Sequence, residues 1–193
     1  QSKKEELLAR LELISHFENF FHFSAVTEGE LSPENAVFQD RPALYYCPLW
    51  EEVLDLEQFS AGERKKMQAV DISWISTMPL MRFCSKIVLK NDGEFSHIRG
   101  NCITVDDARK SQVVINEYVE YVPSAPCLRF LCSGIDFKEA LAKARRYLAG
   151  YELKPDGTVF VAILSRSRGI GQKTSPLVSE YYVPFCRTDE NSS

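Results

Sequence analysis

The stretch PLVSEYYVPFCR, Pro176 to Arg187, lies near the C-terminus and reads as a strand, rich in β-branched and aromatic residues and closed by a proline. In its middle stands a glutamate. Side chains alternate along a strand, so Glu180 points with Val178, Tyr182 and Pro184, and Ser179, Tyr181, Val183 and Phe185 point the other way. Both sets are largely apolar, so both faces of the strand are covered. A carboxylate on a covered face loses its hydration and needs a partner or a proton. The plainer alternative is an edge-strand carboxylate left in water, where it discourages sheet-to-sheet pairing.

Upstream, the chain says the same thing twice. The first half opens with AVFQDRPALYYCPL and the second with EYVEYVPSAPCLRFLC, each a short strand, a proline kink and a second strand. A capped helix follows in both: Ser60 with Glu63 makes a capping box, and Asp136 with Glu139 takes the same two positions. The second helix is apolar at Phe137, Leu141, Ala144, Leu148 and Tyr151. Further strands come next, DISWISTMPLMRFCSKIVL then HIRGNCITV in the first half, and LKPDGTVFVAIL then SEYYVPF in the second. The expected fold is α+β. Two β-α-β-β units, repeat 1 over about 35–107 and repeat 2 over about 112–187, join into one antiparallel sheet. Two helices cover one face and a ligand cleft occupies the other. The tail 188–193 is expected to be flexible.

Ahead of the domain, residues 1–24 hold the helix KKEELLARLELISHFENFFH. Leu7, Leu11, Ile14 and Phe21 form one apolar line and Leu13, Phe17 and Phe20 a second, wider together than a coiled-coil seam. One side can pair with another chain while the other rests on the domain. An ordinary core helix shows the same pattern.

With 193 residues, 45% hydrophobic and 26% charged, the chain suits one globular domain with an appendage, or two small lobes sharing a core. No apolar run approaches the ~20 residues of a membrane span, and the charged start lacks a signal-peptide pattern, which points to the cytoplasm. Beginning at Gln1 and not at methionine, the chain reads as a fragment or a processed product. A net charge of −4 argues against nucleic-acid binding by this piece alone. The basic cluster KARRY, Lys143 to Tyr147, reads as a solvated helix face. The six cysteines form no C-x-x-C pair and sit among apolar residues, as reduced core side chains do, and the three histidines stand at no metal-ligand spacing to them. Neither a metal nor a cofactor is expected. The G-I-G of SRSRGIGQKTSP precedes no helix and so is no phosphate loop.

Duplicated β-α-β-β units, an aromatic after each helix and a terminal strand of the form E-x-x-(I/V)-P resemble the GyrI-like effector-binding domain of MerR-type multidrug-sensing transcription regulators. The resemblance spans about 35–187, and SEYYVPF is its most specific part. It implies a sensor of lipophilic, cationic small molecules that dimerises through the N-terminal helix and reaches DNA only through a module absent from this chain. The implied cleft has Glu180 as its acid with Tyr182 beside it, Phe160 in the neighbouring strand, and Trp74 and Tyr151 after the two helices. Phe83 joins them from the first half, as does Tyr45 or Tyr46; Tyr46 is retained for the site set. Core packing is the ordinary alternative for Trp74, Phe160 and Tyr151. The first half's closing strand departs from the pattern: it has Asn101 and Cys102 but no second carboxylate.

In such a cleft a cation compensates the acid, and each good ring contact adds roughly 0.5–2 kcal/mol. Two other functions fit the residues. A glutamate beside a tyrosine can serve as general base in a small hydrolase, although no Ser/His/Asp or Cys/His set supports nucleophilic catalysis. A protein-interaction module using the open face is the other.

Overall fold

The computed structural model describes residues 29–51, 82–89, 95–113, 115–134, 136–165 and 178–188. The N-terminal helix, the Ser60–Glu63 cap and its helix, Trp74, the G-I-G segment and the tail fall outside these residues. Among the described residues nine strands form one antiparallel sheet: β1 (Ala36–Arg41), β2 (Leu44–Glu51), β3 (Arg82–Leu89), β4 (Phe95–Thr104), β5 (Glu120–Val122), β6 (Ala125–Ser133), β7 (Leu153–Pro155), β8 (Thr158–Ser165) and β9 (Val178–Arg187). Two described helices join them, α1 (Val105–Lys110) and α2 (Phe137–Ala149). The fold is thus α+β.

The strands lie in the order β1-β6-β9-β8-β3-β4-β2-β5, with β7 also on β9. Counted inward from the two edges, β1 matches β5, β6 matches β2, β9 matches β4 and β8 matches β3. Proline builds this pattern. β1 and β2 are one ribbon bent at Pro42-Ala43, and β5 and β6 another bent at Pro123-Ser124. The ribbons pair in one unbroken register, Arg41 opposite Ala125 before the bend and Leu44 opposite Val122 after it. Proline has no N–H to give to a ladder, so the bends sit where pairing is interrupted. Across them Arg41 Nη2 donates to the Pro123 carbonyl at 2.6 Å, and Ser124 Oγ donates to the Arg41 carbonyl at 2.8 Å. Each edge strand therefore continues into an inner strand, and the sheet curls back on itself.

The stretch LKPDGTVFVAIL, expected as a single strand, forms β7 and β8, and both pair with β9. Gly157, at φ 77°, takes the left-handed conformation that lets the chain bulge there.

α2 lies on the outer face of the second half. Asp136 caps it, its carboxylate accepting from Glu139 N at 3.0 Å, as the sequence suggests. Ala140, Leu141, Ala144 and Leu148 pack on Leu128, Phe130 and Cys132 of β6, Val159 and Val161 of β8, and Tyr181 and Val183 of β9. Phe130 and Tyr181 stack at 5.0 Å. The basic cluster differs from expectation at one residue: Lys143 is buried, its Nζ donating to the Gly29 carbonyl, while Arg145 and Arg146 stay exposed. Arg146 holds Glu30 at 2.8 Å, so the two cations fasten the start of the described chain to α2.

α1 was not foreseen. Thr104 caps it by accepting from Asp107 N, and Ala108 packs with Cys47 and Ile103 on the outer face of the first half. Cys47, Cys84, Cys102, Cys127 and Cys132 are buried and every described cysteine is a free thiol. No helix among the described residues is long and apolar enough to cross a membrane.

Candidate functional site

Ladder registers decide which side chains share the concave face. Arg129, Tyr182, Phe160, Lys86 and Ile98 form one cross-strand row, from β6 through β9, β8 and β3 to β4. Leu131, Glu180, Ala162, Cys84 and Gly100 form the row beside it. Glu180, Tyr182 and Phe160 are therefore immediate neighbours on one face. Leu44, Tyr46, Cys84, Cys102 and Phe160 make its apolar floor, with Val122 and Tyr182 against them. The curl brings distant strands into contact here. Tyr46 on β2 meets Phe160 on β8 edge to face at 5.7 Å, and the Arg41 guanidinium on β1 lies 4.8 Å from the Phe160 ring centre.

Alternation separates the two adjacent tyrosines. Tyr46 faces inward, and Tyr45 packs on the outer cluster with Cys47 and Ile103. The Tyr46 ring lies over Gly100: a Cβ there would fall 2.9 Å from ring carbons and onto the Cys47 carbonyl oxygen. Its hydroxyl donates to the Ile98 carbonyl at 2.9 Å. Burial, with the Cys84 thiol and Glu120 nearby, pushes its pKa well up, so it stays a protonated donor. Tyr46 and Phe160 are 0% and 2% exposed, so the floor is filled by its own side chains. Tyr182, Arg129, Lys86, Ile98 and Val122 are partly exposed and form the rim.

Sequence reasoning missed the partner of Glu180. The glutamate is 0% exposed, and Arg129 Nε lies 2.6 Å from its Oε1. Arg129 stands in LRFLC, a run that otherwise reads as a buried strand. The lone basic residue in that run was the available signal. A second rim pair joins Lys86 to Glu120 at 2.6 Å, with the Lys86 ammonium 5.7 Å from the Tyr46 ring centre.

Tyr151 and Phe83 stand elsewhere. Helix α2 ends at Ala149, so the spacing that aligns Tyr151 with Leu148 stops one residue short of Gly150. Tyr151, 49% exposed, instead joins an outer aromatic patch with Phe38, 5.1 Å away, and Tyr147. Phe83 is next to the inward-facing Cys84 and so points outward, 52% exposed. Trp74 lies outside the described residues. The concave strip of β4 is Ile98, Gly100 and Cys102, so that strand brings no carboxylate to the cleft.

No described thiol is activated here. A hydrogen bond with Cys102, together with burial, raises the Cys84 thiol pKa, and burial raises that of Cys127 despite nearby Arg41. His97 is on the outer face, its ring 5.5 Å from that of Phe137. A hollow of about 290 Å³ between Pro42, Thr104, Val105 and Arg109 is separate from the cleft.

Among solved structures, the chain is similar to the C-terminal domain of EcmrR, with 9% identity over 79% of this chain and 97% of that one and a TM-score of 0.48. It is similar to a putative transcription regulation protein from Staphylococcus aureus MU50, with 15% identity, coverage of 78% and 97%, and a TM-score of 0.45. A hydrolase from Listeria innocua also resembles it, with 11% identity, coverage of 89% and 98%, and a TM-score of 0.47. No family model matches the chain, and no curated protein does.

Proposed function

We propose that this chain is a GyrI-like effector-binding domain, the small-molecule sensing part of a bacterial transcription regulator acting in the cytoplasm. The observation that carries the reading is the inner face itself: a fully buried glutamate beside an aromatic rim and floor of Tyr182, Phe160 and Tyr46. A flat lipophilic molecule placed against Tyr182 would gain ring contact and area burial with few directional constraints. The strand order, symmetric from both edges, supports a duplicated β-α-β-β origin and a site on the dyad. Dimerisation through the helix of residues 1–24 and DNA contact through a module outside this chain belong to the same proposal.

Support for a cationic ligand is weaker than for a lipophilic one. That expectation rested on an unpaired acid, and Arg129 already supplies the countercharge to Glu180. The same pairing removes support from a hydrolase reading in which Glu180 acts as general base. A protein-interaction module draws on a different observation, the floor filled by Tyr46 and Phe160. One screen separates them. Thermal shift and calorimetry against lipophilic cations and matched neutral compounds should give micromolar binders, weakened about tenfold by Tyr182→Ala. Binding by none, or binding indifferent to that substitution, favours the interaction module.

A further inference from the structure

We infer that the effector carries an acid group, with Arg41 as the residue that receives it; this rests on the sensing cleft proposed above. The charge count of the inner face points there. Among the described side chains, each inward carboxylate already has a cation at 2.6 Å, Arg129 for Glu180 and Lys86 for Glu120. One cation is left over. Arg41 is 4% exposed and has no carboxylate partner among the described residues.

Among the described residues its guanidinium is held by neutral groups only. Nη1 donates to the Pro42 carbonyl at 3.2 Å and Nη2 to the Pro123 carbonyl at 2.6 Å, and the Phe160 ring lies 4.8 Å away. Buried Nε has no acceptor among the described residues. A buried charge compensated by dipoles and a ring alone remains costly, and its unmet N–H adds to that cost. An aromatic acid answers both needs: its carboxylate supplies the countercharge and accepts from Nε, while its ring lies against the partly exposed Tyr182 that flanks Phe160. The two carbonyl bonds fix the guanidinium plane in advance, so little rotamer entropy is lost on binding. A lipophilic cation finds no such opening. It would have to displace Arg129 or Lys86 from an existing pair and would add a charge where the described side chains already carry an excess one.

The test is calorimetry of the chain with three probes of one shape: 2-naphthoate, 2-naphthamide and 2-naphthylmethylammonium. The carboxylate should bind at least tenfold more tightly than the ammonium, with the amide between them. Arg41→Gln should erase that order, with naphthoate weakened at least tenfold and the amide weakened less. Arg41→Lys, which keeps the charge and lacks the Nε donor, should retain part of the preference; both variants are first checked by thermal unfolding. The wild-type series decides without them if either fails to fold. Ammonium binding as tight as naphthoate overturns the inference and leaves the sensing cleft standing. A carboxylate preference unchanged in folded Arg41→Gln overturns the assignment to Arg41. Binding by none of the three overturns the cleft reading and the inference with it.

Discussion

Arg129 reaches Glu180 on the diagonal of the β6–β9 ladder: Arg129 pairs in register with Tyr182 and Glu180 with Leu131, yet Nε and Oε1 are 2.6 Å apart. The carboxylate is shut off from solvent and the guanidinium nearly so, with side-chain exposures of 1% and 16%. The inner face is therefore built around an ion-paired acid.

Removing one member of that pair should cost far more than removing both. Arg129→Met leaves a buried carboxylate without its cation and should lower stability by about 3–5 kcal/mol in chemical denaturation. The double variant Arg129→Met, Glu180→Gln should recover a large part of the loss. Equal, additive losses would mean the pair is not coupled in solution.

Gly100 should tolerate no side chain. Alanine there presses on the Cys47 carbonyl, which is backbone and cannot swing aside, and on the Tyr46 ring. Gly100→Ala should destabilise by about 1–3 kcal/mol through overpacking. Tyr46→Phe, which removes only the bond to Ile98, should cost about 1 kcal/mol. The ratio of the two denaturation shifts checks the account.

How much of this was legible beforehand follows from the kind of signal each feature leaves. The alternation in SEYYVPF identified the face of Glu180, because a period of two survives whatever the strand's neighbours are. The Asp136 cap and the proline bends were legible because they act over three or four residues. Strand order was not. That Val37 faces Arg129 and that Tyr46 meets Phe160 depends on which strands lie side by side, a long-range property. For the same reason the partner of Glu180, 51 residues away, was not foreseen. Tyr151 was misplaced by extending a helical period past Gly150, where the helix stops.

Burial should govern the thiols. The Cys132 thiol is pushed from its ordinary 9.0 up to about 12, chiefly by desolvation. A raised folded-state value favours the protonated form. Its contribution to stability is whole below pH 9 and is lost as pH rises from there through about 12. Unfolding free energy should fall across that window, and less steeply in Cys132→Val. At pH 8, iodoacetamide should modify half-buried Cys186 before any of the buried cysteines, as mass spectrometry would show.

Lys143 should matter although it sits on a helix surface in sequence. Its ammonium is buried, donates to the Gly29 carbonyl and lies 3.4 Å from Glu139. Lys143→Met keeps the stem and removes the donor, and should cost about 1.5–3 kcal/mol. Limited proteolysis near Gly29 should quicken in the variant. An unchanged melting curve and cleavage pattern would show that the contact is not held in solution.

The measurement that tests the account most directly is the position of the tightest compound from the binding screen, read from a crystal structure of the complex. The account predicts the compound on the inner face, against Tyr182 and Phe160 and within reach of the Arg129–Glu180 pair. A compound seated instead on the outer patch of Phe38, Tyr147 and Tyr151, or in the hollow between Pro42 and Arg109, would contradict it.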